Sequence, residues 1–313
     1  MFCAGKAQHF RHKPQNGETM SQIRIAGAPI SWGVCEVPGW GHQMKVDRVL
    51  TEMADLGLEA MEFGPLGFLP EDPQGRKDAL ARHGMKAVGG FVPVVLHDPG
   101  HDPLPEIERE LEAYEAAGGK VLVLAAETGQ AGYDAPKPEM SEKNWVTMAQ
   151  NLDAIAQTAA KRGVTAVIHP HAGTMVETWA EVEQVLERTT MAFCLDTGHM
   201  WIGGTDPVDF VERFTDRVGH VHFKDVHLDV AQRVRDGEIS YYDAVTQGLY
   251  APLGGGDVDV ERIVNTLLAH GYDGWVVLEQ DLVMSEEPAS GEGPMNDARA
   301  SVNFLRALAA KEA

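Results

Sequence analysis

Two patterns of apolar and polar positions alternate along this chain. In segment 144–162, apolar residues recur every three or four positions, which is typical of a helix with one buried face; they are Trp145, Met148, Ala149, Leu152, Ile155, Ala156 and Ala159. Short continuous apolar runs, typical of buried strands, follow such segments after a glycine. These glycines suit the left-handed position that ends many helices, and they are Gly57, Gly84, Gly118, Gly163 and Gly271. The alternation predicts βα units and a parallel sheet.

Eight apolar runs predict strands, and these are Ile23–Ile30, Ala60–Phe63, Ala87–Val92, Val121–Ala125, Thr165–His169, Ala192–Asp196, Val218–His222 and Gly274–Glu279. Seven predicted helices connect the runs, and an eighth extends from about Met295 to Ala310. Eight βα units in roughly 290 residues fit an α/β fold of the (β/α)8 TIM-barrel type. We therefore predict one TIM-barrel domain over residues 21–313, after a flexible N-terminal extension over residues 1–20. An open doubly wound sheet is the alternative, but no GxGxxG motif follows the first run.

The segment between the seventh and eighth runs has two features of its own. Residues 225–257 are long for a loop, so we expect them to cover the mouth of the barrel. The segment ends in three glycines, Gly254 to Gly256, which could be mistaken for a phosphate-binding loop. No Lys-Ser or Lys-Thr pair follows them, so we interpret them as a plain turn.

The charge balance narrows the range of partners. The 313 residues include 26 Lys and Arg against 47 Asp and Glu, which gives a formal net charge of −21. A surface this acidic repels phosphate groups, so we expect neither a nucleic acid nor an anionic membrane as a partner. No apolar run approaches the ~18 residues of a membrane span. A small molecule is the expected partner, and the charge balance is also compatible with a homo-oligomer.

Cysteine usage points to the compartment. Cys3, Cys35 and Cys194 are the only cysteines, and none forms a Cys-x-x-Cys pair. The sequence therefore predicts neither a disulfide framework nor a zinc knuckle, which suits a reducing cytoplasm. Residues 1–20 lack the apolar core of a secretory signal, so a cytoplasmic location is the expectation.

Histidines, carboxylates and a lysine follow the ends of four predicted strands and are candidates for catalysis or metal binding. The fifth to eighth runs lead into His169-Pro170-His171, Asp196-Thr197-Gly198-His199, His220-Val221-His222-Phe223-Lys224-Asp225 and Glu279. In a TIM barrel these ends form the active-site face. Each residue alone has a structural alternative, such as a hydrogen-bonded core histidine, an N-cap for Asp196 or solvation for Glu279. Jointly, converging carboxylates would repel each other unless a cation binds them, so we predict a divalent metal site.

Strand geometry selects the ligands within this set. His220 and His222 are two residues apart and point the same way, as do His169 and His171 if their strand continues. The member of each pair nearer the barrel centre should bind the metal, which gives His169, Asp196, His222 and Glu279 as ligands. Mixed histidine and carboxylate ligands suit Mn²⁺, Co²⁺, Zn²⁺ or Fe²⁺ better than Ca²⁺. Mn²⁺ or Co²⁺ is the expected metal, with Zn²⁺, Fe²⁺ or Mg²⁺ as alternatives.

The order of these motifs resembles a known superfamily. HPHAGT, LDTGH, HVHFKD and WVVLEQD follow one another as in the xylose-isomerase-like TIM barrels, which include sugar isomerases, sugar epimerases and AP endonucleases. Within it, APISWG and the insertion VAQRVRDGEISYYDAVTQGLYAPLGGGDVDV are similar to the inosose dehydratases. The resemblance extends from Arg24 over nearly the whole chain. It implies the same four metal ligands and a dehydratase acting on a keto-inositol or a related keto-sugar.

The resemblance also has a departure and leaves alternatives. Many isomerases of the superfamily carry a glutamate base where His169 stands. Dehydratase-like members carry histidines there, typically as His-His-His-Met-Gly-Thr, whereas this chain reads His-Pro-His-Ala-Gly-Thr. A sugar or sugar-phosphate isomerase or epimerase using the same metal is the alternative. A DNA-repair endonuclease would need a basic face, and a non-catalytic sugar-binding protein would leave the histidine-rich rim without a role.

Loss of water from a keto-inositol also needs proton transfer near the metal. His199, His171 and Lys224 are the candidate catalytic residues. His199 follows Asp196 by three residues, so we expect it to face the substrate, and histidine titrates near neutral pH. A salt bridge from Lys224 to Asp225 or Glu279 is the structural alternative.

The first four strands supply candidate substrate-binding residues. Glu62, His97 and Glu127 follow or end the second, third and fourth runs and could bind hydroxyl groups. Trp32 follows the first run and could form an apolar wall for a ring face. Structural hydrogen bonds for the first three, and a core position for Trp32, are the alternatives.

Overall fold

A ring of parallel strands forms the centre of the molecule in the computed structural model, which describes residues 23–311. The strands are β1 (Arg24–Gly27), β2 (Ala60–Met61), β3 (Lys86–Ala87), β4 (Gly89–Val94), β5 (Val121–Ala126), β6 (Thr165–Ile168), β7 (Ala192–Asp196), β8 (Val218–Phe223), β9 (Asp225–Val226), β10 (Tyr250–Ala251) and β11 (Trp275–Leu278). The predicted extension over residues 1–20 lies outside the described residues.

The ring contains eight strands, because two of its nine segments belong to one interrupted strand. The nine segments of the main sheet follow the order β3-β2-β1-β11-β8-β7-β6-β5-β4, all parallel. Only Val88 separates β3 from β4, so the two ends of that order belong to one interrupted strand. The Val88 amide donates to Met61 and the Phe63 amide donates to Gly89, each at 2.9 Å, which joins this strand to β2. The predicted TIM barrel is confirmed.

Helices surround the ring. They are α1 (Val46–Asp55), α2 (Pro73–Arg82), α3 (Leu104–Ala117), α4 (Glu142–Lys161), α5 (Trp179–Arg188), α6 (Thr197–Ile202), α7 (Pro207–Phe214), α8 (Leu228–Arg235), α9 (Tyr241–Thr246), α10 (Val260–Ala269) and α11 (Pro294–Lys311). The prediction of eight helices is therefore too low, because α6, α8 and α9 are short additions to the βα pattern. None of the described helices is long and apolar enough to cross a membrane.

The first predicted strand is too long at its C-terminal end. The chain leaves the sheet after Gly27, and residues Pro29–Trp32 form a 3₁₀ turn. Pro29 has no amide hydrogen to donate to a neighbouring strand, and its fixed φ suits the first position of a helical turn. Gly33 ends the turn with φ of 72°, a value that glycine adopts without strain.

Residues 225–257 form a covering segment that lies over the C-terminal face of the barrel and is structured. The helices α8 and α9 and the antiparallel pair β9-β10 make up most of it. The carboxylate of Asp225 accepts amide hydrogens from Gly254, Gly256 and Val258 at 2.8–3.0 Å, which fixes the glycine turn. A Cβ atom at Gly256 would lie 2.3 Å from this carboxylate, so only glycine fits. The interpretation of the glycines as a turn is confirmed.

The barrel interior changes character along its axis. Near the N-terminal end of the strands, small apolar side chains fill it, namely Ala26, Ala60, Val88, Val123, Val167, Cys194 and Val277. Toward the C-terminal end the inward positions carry histidines and carboxylates. In the register of β7 and β8, Cys194 lies opposite His220 and Asp196 lies opposite His222. The apolar end stabilises the ring, and the polar end forms the site.

Candidate active site

The four residues predicted as metal ligands lie together at the C-terminal ends of β6, β7, β8 and β11. His169 Nε2 lies 3.1 Å from Asp196 Oδ2. His222 Nδ1 lies 3.7 Å from the same oxygen and 3.2 Å from Glu279 Oε2. The side chains of His169, Asp196 and His222 are buried, and that of Glu279 is 9% exposed. Neighbouring parallel strands therefore place these groups side by side, with Asp196, His222 and Glu279 in one cluster that His169 adjoins through Asp196.

The donor set fits a divalent cation. His222 Nδ1 is buried and has no hydrogen-bond partner among the described residues, although it lies beside two carboxylates. One atom each from Asp196, His222 and Glu279 lies within 4.8 Å of the others, as metal ligands do. A shared positive charge would stabilise this unpartnered nitrogen and the two carboxylates that it faces. These residues are therefore suited to bind a divalent cation.

The protonation states reflect the crowding of charge. Burial opposes ionisation of Glu279, but His222 and Lys224 lower the pKa of its carboxyl group to about 2. Burial also opposes ionisation of Asp196, and Lys224 is the main group that brings its pKa well below the usual range. Burial would lower the pKa of His222, but Cys194, Glu279 and Glu62 raise it well above its usual value. A proton on His222 therefore competes with a cation for this site.

Lys224 connects the carboxylates to a second polar cluster. Its Nζ lies 2.5 Å from Asp281 Oδ1, 3.0 Å from Glu279 Oε2 and 3.2 Å from His199 Nε2. Burial would lower the pKa of Lys224, but Asp281, Glu279 and Asp196 raise it well above its usual range, so the ammonium form persists. Lys224 packs closely on Gly198, where a Cβ atom would lie 2.7 Å from the lysine Cβ.

Two histidines stack beside this lysine. The rings of His171 and His199 have centroids 3.7 Å apart and are inclined by 33°. His171 Nδ1 lies 2.8 Å from the Ala172 carbonyl, to which it can donate, which would leave Nε2 able to accept a proton. Burial, His169 and Lys224 hold the pKa of His171 well below its usual value. The imidazole is therefore neutral.

His199 does not face the pocket, contrary to the expectation from the sequence. Its side chain is completely buried behind His171 and Lys224, and it does not line the pocket above the ligands. The Asp196 carboxylate caps α6 by accepting from the His199 amide at 2.7 Å, so the turn carries His199 inward. Burial and the neighbouring His171 hold the pKa of His199 well below its usual value.

The pocket beside the ligands combines apolar and acidic walls. Its lining includes Ile30, Val34, Phe91, Tyr133, His169, His171, Glu36, Glu62, Glu279, Asp281 and Lys224. Tyr133 extends over His171, with ring centroids 4.6 Å apart, and its hydroxyl donates to Glu36. From the covering segment, the Tyr241 hydroxyl donates to Asp281 at 2.6 Å.

Sequence reasoning missed several of these residues. Asp281 follows Glu279 by two positions, so the strand alternation that selected the other residues could have found it. Tyr133, Glu36 and Tyr241 come from loops or from the covering segment and carry no local sequence signal of their place in the pocket.

Three of the predicted substrate-binding residues are not brought to this pocket. Trp32 packs in the core, where its indole donates to Glu52 at 2.8 Å, because the turn at 29–32 directs it there. His97 lies in a separate surface pocket with Asp98, His101 and Asn144. Glu127 is exposed after β5 and lies outside the pocket lining. Only Glu62 reaches the centre of the barrel.

The geometry agrees with comparisons to known proteins. A model of the xylose isomerase-like TIM barrel family matches residues 50–308, and the chain belongs to this family. The chain is 31% identical over 281 residues to the inosose dehydratase of Geobacillus kaustophilus (strain HTA426), which covers 84% of this chain and 89% of that relative. It is also 31% identical over 277 residues to the rhizopine catabolism protein MocC of Rhizobium meliloti, which covers 86% of this chain and 84% of the relative. The solved structure of L-ribulose 3-epimerase covers 92% of this chain and 95% of its own, with a TM-score of 0.66 and 17% identity, and so shares the fold.

Proposed function

We propose that this protein is a metal-dependent dehydratase, a hydro-lyase that removes water from a keto-inositol or a closely related keto-sugar. The observation that carries the proposal is the convergence of His169, Asp196, His222 and Glu279 beside a pocket that also presents Lys224. The similarity to a named inosose dehydratase supports the same activity. Mn²⁺ or Co²⁺ is the proposed metal, because mixed imidazole and carboxylate ligands suit such transition metals better than Ca²⁺.

The residues of this chain divide the work of removing water. A divalent cation, when bound, supplies a Lewis acid that makes the hydrogen next to a ketone more acidic. His171 Nε2 is the proposed base that takes this hydrogen as a proton, since Nδ1 faces the Ala172 carbonyl. The Lys224 ammonium donates a proton to the departing hydroxyl group, which leaves as water. His199 positions both His171 and Lys224, because it stacks on the first and contacts the second.

The charges of the pocket favour a neutral substrate. Within the part of the chain that the structure describes, four carboxyl groups line it, those of Glu36, Glu62, Glu279 and Asp281, against the single ammonium of Lys224. Among the described residues, no arginine belongs to this lining. The carboxylates would therefore repel a phosphate group, which would also lack the arginine guanidinium groups that usually bind it. An unphosphorylated polyol ketone fits this pocket better, and a cytoplasmic location suits such a substrate.

A mass measurement tests the proposal directly. The purified, metal-loaded protein is incubated with inososes, ketohexoses and sugar phosphates, and mass spectrometry measures the molecular mass of each product. We expect an inosose to lose about 18 Da, the mass of one water, with no turnover of the phosphates. Products of unchanged mass and new stereochemistry would instead establish the isomerase or epimerase alternative.

Metal affinity should increase with pH. Because the pKa of His222 lies well above its usual value in the metal-free protein, this group carries a proton at neutral pH that the cation must displace. We expect the affinity for Mn²⁺ to rise about tenfold per pH unit between about pH 6 and pH 8. Calorimetric titration in buffers of different ionisation enthalpy measures the affinity and the number of protons released. The exposed His270→Gln variant is the control with an unchanged slope, and a pH-independent affinity would contradict the prediction.

Replacing His199 should weaken catalysis without emptying the metal site. His199 touches Lys224 but does not line the pocket, so His199→Asn should lower kcat by about tenfold and leave KM nearly unchanged. Removal of a proton-transfer group itself would cost about 10²–10⁴-fold. Steady-state kinetics and metal analysis of the same preparation distinguish these cases. A fall of 10³-fold or more with full metal content would make His199 the transferring group.

A further inference from the structure

The side chain of Glu62 extends from the pocket into the centre of the barrel. It follows β2, yet its side chain crosses the barrel interior to β8 on the other side of β1 and β11. Its Oε1 lies 2.7 Å from His220 Nε2 and 3.0 Å from His222 Nε2. Glu62 is 2% exposed and the two histidines at most 1%, so water does not compete for these contacts.

These contacts determine which nitrogen of His222 carries a hydrogen. An ionised carboxylate only accepts hydrogen bonds, so both Nε2 atoms must donate to Glu62. With its hydrogen on Nε2, His222 presents Nδ1 to Asp196 and Glu279. Nδ1 has no hydrogen-bond partner among the described residues, which makes it the nitrogen available to a cation. A carboxylate behind a histidine ligand fixes its tautomer and ring orientation and raises its basicity.

We propose that Glu62 is a positioning residue that holds His222 as an Nδ1 metal ligand, an inference that rests on the metal site of the proposed function. The sequence suggested a hydroxyl-binding role for this residue. Glu62 borders the pocket, but the hydrogen bonds to two buried histidines engage its Oε1 atom in support of the ligand set. Glu62 thereby connects β2, which contributes no metal ligand, to the metal site on the opposite strands.

The same three side chains offer one other arrangement. Atoms of Glu62, His220 and His222 lie within 4.8 Å of one another, so they could hold a second ion. The separations of 2.7 and 3.0 Å are those of ordinary N–H···O hydrogen bonds, which favours the hydrogen-bonded cluster. The metal stoichiometry decides between the two, because a second ion would exclude hydrogen bonds at the same atoms.

Metal binding by two variants tests the role of Glu62. Glu62→Gln keeps the shape but removes the charge and offers an amide that can donate. We expect its Kd for Mn²⁺ to increase by about 10–100-fold, with one ion bound per chain in the parent protein. His220→Gln is the matched control, because His220 contacts the same oxygen but does not face Asp196 or Glu279. Its Kd should stay within about threefold of the parent value.

A spectroscopic readout keeps the inference testable if a variant does not fold. In the Zn²⁺-loaded parent protein, ¹⁵N-histidine spectra should show His222 with a protonated Nε2 and a metal-bound Nδ1. A protonated Nδ1 with a metal-bound Nε2 would overturn the inference. An unchanged Kd in folded Glu62→Gln, or two ions per parent chain, would overturn it as well. None of these measurements uses the dehydratase reaction, so a protein that binds metal as expected but releases no water would contradict the proposed function alone.

Discussion

Lys224→Met should lower kcat by about 10²–10⁴-fold while the metal stays bound. Lys224 is the only ammonium group among the described residues that line the pocket, and its contacts with Asp281 and Glu279 hold it in the charged form. Methionine preserves the length of the side chain but cannot donate a proton to a leaving hydroxyl group. Steady-state kinetics with the inosose that loses water, together with metal analysis, measures the effect.

The same substitution leaves buried carboxylates without their cation, so stability must be separated from catalysis. Losing one partner of a buried ion pair costs about 3–5 kcal/mol of unfolding free energy. The double variant Lys224→Met with Asp281→Asn removes one of the unpaired charges, and it should recover stability but not kcat. Lys137→Met is the matched control, because Lys137 also contacts two carboxylates, at 2.6 and 3.1 Å, away from the pocket. Normal kcat in Lys224→Met would exclude lysine as the proton donor.

The barrel could be predicted from the sequence because its signals are local and repeated. A helical period and an apolar run recur along the chain, and a terminating glycine precedes five of the eight runs, so the number of units follows from the chain alone. The grouping of the proposed ligands follows from the same logic, since parallel strands place their C-terminal ends on one face. Alternation along β8 also placed His220 and His222 on the same inward side.

The remaining features depend on tertiary contacts that no local pattern reports. Trp32 and His199 both follow strands, but a 3₁₀ turn directs the first into the core and the cap of α6 directs the second behind Lys224. Tyr241 reaches Asp281 only because the covering segment folds back over the barrel. For Glu62, the position after a strand was visible in the sequence. Its bond to His222 was not, because the partners are 160 residues apart.

Asp196→Asn and Glu279→Gln should each lower the affinity for Mn²⁺ by more than about 10²-fold and remove nearly all activity. Both substitutions replace a carboxylate oxygen of the converging set by a neutral amide, which binds a divalent cation weakly. Asparagine at 196 is preferable to alanine, because Asp196 Oδ1 also accepts amide hydrogens from Gly198 and His199 at 3.0 and 2.7 Å. The amide oxygen can preserve that cap, so the variant isolates metal binding from the stability of α6.

A second capping aspartate provides the control for this prediction. Asp206 caps α7 by accepting from the Val208 amide at 2.8 Å, but it lies outside the pocket. Asp206→Asn should therefore retain metal and kcat, and any loss of stability in it measures the cost of changing a capping carboxylate to an amide. Elemental analysis and Mn²⁺ titration of all three variants give the result. Full metal content in both Asp196→Asn and Glu279→Gln would show that the cation binds elsewhere, even if activity were lost.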